Sequence, residues 1–552
     1  MDEVVSYRGG YVWSYAPDFS KQLGEMEAYR TMVWMQPPGT SSIGHVYLDA
    51  YHATGDERYY QAALRTAMAV KQAQRQDGGW NYIHDFAGEG SLKRWYNTIG
   101  RNGWRLEEFQ HYYGNSTFDD ATTAVAAQLM LRMYLERDDE TFDHTTHKAL
   151  DFILEAQFGP NMGIADGGWP QRFPHNPKAI SSMPMPNAFQ LPPNSWAGME
   201  DGDYTLHVTF NDDVMGENIK FLTMCVMSLG KKHLVPRIIR AMDCMRRMQQ
   251  PAPQAGWSLQ HLSRPMNGRP AGAPAGARTY EPRSLATHTT QTNIQQLFHY
   301  FELTGERRYL ERIPEAIAWL KTCPLPADAV ARNPLLAGPP PRTHPTFVQL
   351  GTNDGIYVHR YGSNIHNGAY YFNKDYTNTL SHYSAGRVIN IPALEARYAD
   401  LSSWSDQRIA ERKAASPLYA PTRRPLPKYF TVSGEVDFPD LFAGAVKTTP
   451  LVTEPTVISL VSELDANGGR WLTTLPETVN PYIGDGPSTP YLGPDYMSRH
   501  VGDLYDTSPW PWSTRPTTPE YINQPAPPPY IVTRDWITRM GQLIAYAAPV
   551  TS

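Results

Sequence analysis

The sequence predicts a mainly α fold, an α/α toroid of repeated antiparallel helix hairpins, followed in its last third by a Pro-rich lobe of irregular and β character. Three observations carry this expectation. First, Gly-Trp steps recur at Gly79-Trp80, Gly168-Trp169 and Gly256-Trp257, with the tryptophans 89 and 88 residues apart. Second, each step follows a helical stretch ending in Gln-containing sequence: AVKQAQRQDGGW, LDFILEAQFGPNMGIADGGW and AMDCMRRMQQPAPQAGW. Third, helices that run into a turn recur as LDAYHATGDERYY, LRMYLERDDETF and LFHYFELTGERRYL. A unit of helix, tight turn, helix and long loop cannot bury its apolar faces alone and must stack on its neighbours.

Within these units apolar residues return every three or four positions, as at Ala63, Thr66, Ala67 and Val70, or at Ile238, Met242, Met245 and Met248. That period places them on one helical face. With three or four such hairpins, closure into a toroid is expected over an open solenoid. Long Pro, Gly, Ser and Asn-rich loops at 173–205 and 323–346 then gather at one rim and wall a cleft. In the first of these, Phe189, Trp196 and Tyr204 either stack on a ligand or pin the loop.

From residue 395 the pattern changes. Prolines are frequent, KYFTVSG and TVISLVSEL read as β-type runs, and TRDWITRMGQLIAYAA restores an amphipathic helix at the end. The expected division is a toroid over 1–394 and an irregular lobe over 395–552 whose terminal helix docks back, the two possibly forming one domain.

Composition narrows the function. The chain has 552 residues, 41% hydrophobic and 19% charged, with a net charge of −6. A globular chain with a large core fits these values. Without a basic run or basic helix, nucleic acid is not an expected partner. No apolar stretch approaches the roughly 18 residues that would span a bilayer, so no membrane partner is expected, and nothing specifies an oligomeric state. Cys225, Cys244 and Cys323 lack metal-ligand spacing, and Cys225 and Cys244 fall in apolar helical patterns as core residues. The 14 Trp, 33 Tyr and 18 Phe suit a sugar-binding cleft as well as a large core.

Six polar clusters follow in order: STFDDATT (116–123), GGWPQRFP (167–174), TFNDDVM (209–215), GWSLQH (256–261), GARTYEPRSL (276–285) and GIYVHRYG (355–362). The TFNDDVM cluster sets Asn211, Asp212 and Asp213 at the start of a helix, where one acid is enough for a cap and the second is surplus. Together the six resemble the pectic acid lyase family, polysaccharide lyase family ten, whose members carry closely similar GGWPQ, TFND, QH and ARxYE stretches in this order. The resemblance covers roughly residues 110–365.

It implies a toroid that cleaves a polyuronate by β-elimination, usually with calcium. Such a reaction needs the substrate carboxylate neutralised, a base at carbon 5 and stabilisation of the departing oxygen. Calcium takes hard oxygen ligands, for which Asp119, Asp120 and Asp212 are the candidates. Carried over by motif, Arg360 takes the place of a base-like arginine and Arg278 that of an arginine binding substrate carboxylate. Glu281, Tyr280, Gln260 and His261 line the same cavity, and Asn211, Trp169, Arg172 and Trp257 join the substrate-binding set. The blander readings are helix caps for the aspartates, surface ion pairs for the arginines and a hydrogen-bonded structural role for His261.

The chain also departs from the family pattern. PTFVQL places Thr346 where family members carry a second carboxylate-binding arginine, and His359-Arg360-Tyr361-Gly362 replaces GRDG. Loss of a bidentate guanidinium points to a uronate pattern other than plain polygalacturonate. It also opens a second chemistry, seen in several toroidal lyases, in which Tyr280 or Tyr361 is the acid/base beside a histidine such as His359 and calcium is dispensable. Two other classes compete: a glycoside hydrolase using Asp212 with Asp120 or Glu281, and a glycan-binding protein that needs no base. The start MDEVVSYRGG shows no signal peptide, yet a polymeric substrate implies a secreted or periplasmic protein.

Overall fold

The computed structural model describes residues 1–96, 114–174, 203–278, 280–333, 336–361, 369–377, 379, 386–429, 436, 438–442, 451–474, 476–478 and 529–548. It is mainly helical. The longer helices are α1 (Thr40–Thr54), α2 (Glu57–Ala73), α3 (Thr122–Arg137), α4 (Glu140–Ala156), α5 (Val214–Leu229), α6 (Val235–Met248), α7 (Thr287–Thr304) and α8 (Ile313–Leu320). Each odd-numbered helix packs on the even-numbered helix after it, and α1, α3 and α5 also pack side by side.

The hairpin turns are written in local chemistry. Gly55 closes α1 in the left-handed region at φ 69°, and the side chain of Asp56 then accepts from the Arg58 N–H to open α2. The α3–α4 turn reuses the device, with Asp138 left-handed at φ 55° and Asp139 capping through the Thr141 N–H. Helix α5 is buried along nearly its whole length, whereas α2, α4 and α6 bury one face. The odd helices thus form an inner row and the even ones an outer row.

The Gly-Trp steps at Trp80, Trp169 and Trp257 each tie an outer helix to the next inner one. The indole N–H groups of Trp80, Trp169 and Trp257 donate to the carbonyls of Val70, Ile153 and Met245, at 2.7, 2.8 and 2.9 Å. Their own carbonyls accept from the N–H groups of Thr117, Thr209 and Ala286. Gln74, Gln157 and Gln249 each bond a carbonyl in their own loop and one in the following outer segment. The repeat is therefore a hydrogen-bonding register as well as an apolar one.

This corrects the expectation for two residues. Trp169 and Trp257 are wholly buried, so they present no face to a sugar and serve as pins of the repeat. Short strand pairs line the N-terminal ends of the inner helices: β1 (Met32–Trp34) with β2 (Ile83–Asp85), β3 (Ser116–Thr117) with β4 (Arg172–Phe173), and β5 (Val208–Thr209) with β6 (Gln260–His261) and β7 (Pro274–Ala275). The last group is a sheet in the order β8 (Leu285–Ala286), β9 (Phe347–Val348), β10 (Gly355–Tyr361) and β11 (Ala369–Asn373).

Beyond residue 390 the chain is more helical than its sequence suggests. Helices α9 (Ile391–Ser402) and α10 (Asp406–Ala414) pack on α7, and α12 (Thr533–Ala547) packs on α1. The run TVISLVSEL, expected as β, lies in helix α11 (Glu454–Ala466). Glu454 and Pro455 suit a first helical turn, and packing of α11 on α12 overrides the β-branched propensity. In KYFTVSG, residues 430–434 lie outside the described residues. No helix among the described residues is long and apolar enough to cross a membrane.

Candidate active site

The two aspartate motifs fold as copies of one another. In each, a two-residue strand leads through Phe118 or Phe210 into a single helical turn that opens an inner helix, α3 or α5. Asp120 (φ 48°, ψ 34°) and Asp212 (φ 46°, ψ 36°) both take left-handed backbone, as do Ala121 and Asp213 after them. Residues with a Cβ adopt this region at a cost of about 1 kcal/mol or more each. Strain repeated at equivalent positions marks a constrained site. The two turns pack together, so the acids gather over the positive ends of two helices.

One ligand oxygen each from Asp119, Asp120 and Asp212 lie within 4.8 Å of one another. Asp119 is buried, Asp120 half-buried and Asp212 exposed. Beneath them runs a buried hydrogen-bond chain that crosses several repeats. Asn211 Nδ2 donates to Glu281 Oε1 at 2.9 Å. Arg278 donates to Glu281 from Nη2 at 2.6 Å and from its backbone N–H at 3.0 Å. Its Nη1 reaches Asp119 Oδ2 at 3.3 Å. The Tyr82 hydroxyl lies 2.5 Å from Asp119 Oδ2 and 2.9 Å from Asp120 Oδ2. Gln36 Nε2 completes the chain with a bond to Asp120 Oδ2 at 2.6 Å.

Electrostatics separates the three acids. Burial works to raise the Asp119 pKa, but the guanidinium charges of Arg278 and Arg172 outweigh it and hold this carboxyl below its usual range. Burial and then the Asp119 charge push Asp120 up to about 6. Asp212 is pushed well above the usual range by enclosure and by the charges of Asp120 and Asp119. The carboxyl groups of Asp119 and Asp212 stand in hydrogen-bond contact, which requires a proton on one of them.

The donor set fits a hard divalent cation. It comprises three carboxylates, and Asp119 Oδ1 is buried with no N–H or hydroxyl donor among the described residues. With Glu281, four carboxylates face the two arginines Arg278 and Arg172, so the ionised cluster lacks two positive charges.

The structure places several expected site residues in supporting positions. Arg278 is 4% exposed and its guanidinium is committed to Asp119 and Glu281, so it is the counter-charge of the acidic cluster and not an open clamp for substrate. Glu281, Asn211 and Gln260 are buried in the same way, Gln260 donating to Gln171 Oε1 at 3.1 Å. Arg172 is buried with its guanidinium carbon 5.2 Å from the centre of the Tyr82 ring. Tyr280 is buried with Leu259 and Phe347, its ring 5.2 Å from the Arg278 guanidinium.

His261 is corrected outright. Its Nε2 accepts from the Ser258 N–H at 3.0 Å, its Nδ1 bonds the Gly272 carbonyl at 2.9 Å, and burial pulls its pKa down to about 4. A neutral, doubly held imidazole is structural. His359, Arg360 and Tyr361 end β10, paired across to Tyr371, Tyr370 and Ala369 of β11, and their side chains lie outside the described residues. Phe189 and Trp196 lie outside them too, while Tyr204 is buried.

Sequence reasoning passed over Tyr82, Gln36 and Gln171. A signal existed for two of them, since Tyr82 and Gln171 both stand two residues after the tryptophan of a Gly-Trp step. Gln36 carries no such mark.

Residues 93–369, just over half of the chain, match the family model described as pectic acid lyase. No curated protein matches the chain. Among solved structures the chain is similar to the family 10 polysaccharide lyase from Cellvibrio cellulosa. A mutant of that enzyme in complex with trigalacturonic acid is 15% identical over 66% of this chain and 96% of its own, at a TM-score of 0.40. A second structure of that lyase is 15% identical over 67% and 95%, at 0.36. Unsaturated glucuronyl hydrolase from Bacillus sp. GL1 is 13% identical over 58% and 64%, at 0.31.

Proposed function

The chain belongs to the pectic acid lyase family, and from that premise we propose that it is a polysaccharide lyase cleaving a uronic-acid-containing polysaccharide by β-elimination on an α/α toroid. The observation that carries the reading is the cluster of Asp119, Asp120 and Asp212 inside the matched span, held over the paired Arg278. The repeated hairpins, with inner helix packed on inner helix, support the toroid. An acidic polymer as substrate goes with a secreted or periplasmic setting.

Elimination removes the proton on carbon 5, breaks the bond from carbon 4 to the bridging oxygen and leaves a double bond between the two carbons, the oxygen departing with a proton. Asp119, Asp120 and Asp212 would hold calcium, which when bound neutralises a substrate carboxylate and so acidifies the adjacent proton. Arg278 and Arg172 keep Asp119 ionised for that purpose. Tyr82 and Gln36 orient Asp119 and Asp120 from below. By family motif, Arg360 accepts the proton, and proximity to other cations is what a guanidine needs to act as a base. Thr346, in place of a second arginine, favours a uronate other than plain polygalacturonate.

The competing hydrolase reading would use Asp212 with Asp120 or Glu281 and would leave a new reducing end without a double bond. The deciding experiment is the ultraviolet absorbance of the new double bond, followed over a panel of uronic-acid polysaccharides with calcium and then with chelator, for wild type and Arg360→Ala. A rise on one polymer that vanishes in the variant supports elimination and names the sugar. New reducing ends without absorbance would move the assignment to hydrolysis, and intact binding without turnover in both proteins to a glycan-binding role.

A further inference from the structure

The two aspartate turns are alike in backbone but are held differently. Asp120 is anchored through its own carboxylate, by Gln36 at 2.6 Å and Tyr82 at 2.9 Å. Asp212 has no such donor among the described residues, where the group its carboxylate touches is that of Asp119, another acid. Its position therefore depends on the backbone turn that carries it. That turn sets two consecutive non-glycine residues left-handed, Asp212 at φ 46° and Asp213 at φ 55°, a conformation that needs support from outside the turn.

The support comes from α7. Gln296 Nε2 donates to Asp213 Oδ2 at 2.5 Å, while Asp213 Oδ1 accepts from the Gly216 N–H at 3.3 Å to cap α5. In the copy of this turn at α3 the matching residue is Ala121, which offers no acceptor. Gly216 makes the arrangement possible. A Cβ there would stand 2.4 Å from Asp213 Oδ2, 2.5 Å from Oδ1 and 2.6 Å from Gln296 Nε2. A glycine in the first turn of a helix is otherwise a disadvantage, and the brace explains it.

We infer that Gln296 is a positioning residue: through Asp213 it holds the left-handed turn that brings Asp212 to the acidic cluster. The consequence for catalysis rests on the lyase reading, but the turn does not. Gln296 is 7% exposed and borders a cavity of about 440 Å³ also lined by Glu217, Lys220 and His299. A thioether of similar length in its place therefore removes the hydrogen bond without overpacking.

The test compares crystal structures and terbium titrations of wild type, Gln296→Met, Gly216→Ala and Asp213→Asn, with Tyr82 as the adjacent chromophore. In Gln296→Met and Gly216→Ala, residues 212 and 213 should leave the left-handed region and terbium half-saturation should rise about tenfold, the lower end of what outer-shell partners of a metal site control. Asp213→Asn keeps an oxygen for the Gly216 N–H, and its Nδ2 can donate to Gln296 Oε1 once the Gln296 amide turns over, so it should retain the wild-type turn and titration, a rescue that general loss of stability would not give. A left-handed turn and unchanged titration in Gln296→Met would overturn the inference. Should that variant not fold, Gly216→Ala carries the same decision from the other side of the brace. If the turn is lost in the variants while wild type shows no elimination on any polymer, the lyase reading fails and the brace stands.

Discussion

The Tyr82 hydroxyl sits 2.5 Å from Asp119 Oδ2 and joins the loop after the first Gly-Trp step to the acid turn of the next repeat. One phenol proton serves two carboxylates there, since Asp120 Oδ2 is 2.9 Å away. Tyr82→Phe should therefore leave the fold intact, at a cost of about 1–3 kcal/mol for the lost donor, and reduce elimination by about 10–100-fold, as removal of an outer-shell partner does. Denaturant titration beside steady-state kinetics separates the two effects.

Asp120, pushed up to about 6 by burial and the Asp119 charge, gives a pH dependence of fixed sign. A cation needs the ionised form, so binding should strengthen as pH rises through about 6, where Asp120 gives up its proton. Without cation, the folded chain keeps its proton up to about 6 while the unfolded chain releases it near 3.8. Stability from this group is then lost as pH rises through that window. Calorimetric titration with calcium across pH 5 to about 7.5 checks it, and Asp120→Asn should abolish the inflection.

Asp212→Asn should act in opposite directions on stability and binding. The exposed Asp212 carboxylate is repelled by Asp119 and Asp120, so neutralising it should raise the melting temperature of the cation-free protein and weaken cation binding. A variant that melts below wild type without calcium would argue against crowding of like charge at this position.

Arg278 is the buried counter-charge of both Asp119 and Glu281. Arg278→Met leaves two buried carboxylates uncompensated and should cost about 3–5 kcal/mol. Chemical denaturation reads this directly, and a parallel rise in the Asp119 pKa should appear in carboxyl NMR titration.

Trp257 is buried with its N–H on the Met245 carbonyl. Trp257→Ala should destabilise by about 3–5 kcal/mol, while the milder Trp257→Phe should leave KM unchanged. A change of KM in Trp257→Phe would restore the sugar-platform reading.

Much of the fold is legible in local chemistry. The Gly-Trp period, the Gly55-Asp56 and Asp138-Asp139 turns and the three- and four-residue apolar spacing all act over distances a sequence displays. The run TVISLVSEL at 456–464 reads as β because β-branched residues carry a β preference, which helix packing, here α11 on α12, overrides. The site was legible as a set of motifs but not as roles. Arg278 and Glu281 stand three residues apart and pair with each other, whereas the partner that makes Arg278 a counter-charge, Asp119, is 159 residues away.

By itself the sequence determined the repeat unit and its turns, because these depend on residues close along the chain, and its ordered motifs named the family and the candidate acids. The tertiary structure decided which of those residues face the cluster and which are buried beneath it. It turned Trp169, Trp257 and His261 into structural supports, and it brought Tyr82, Gln36 and Gln296 to the aspartate turns. The reason is physical: burial, like-charge repulsion and shared hydrogen bonds belong to groups that are neighbours in space, and those neighbours come from different repeats.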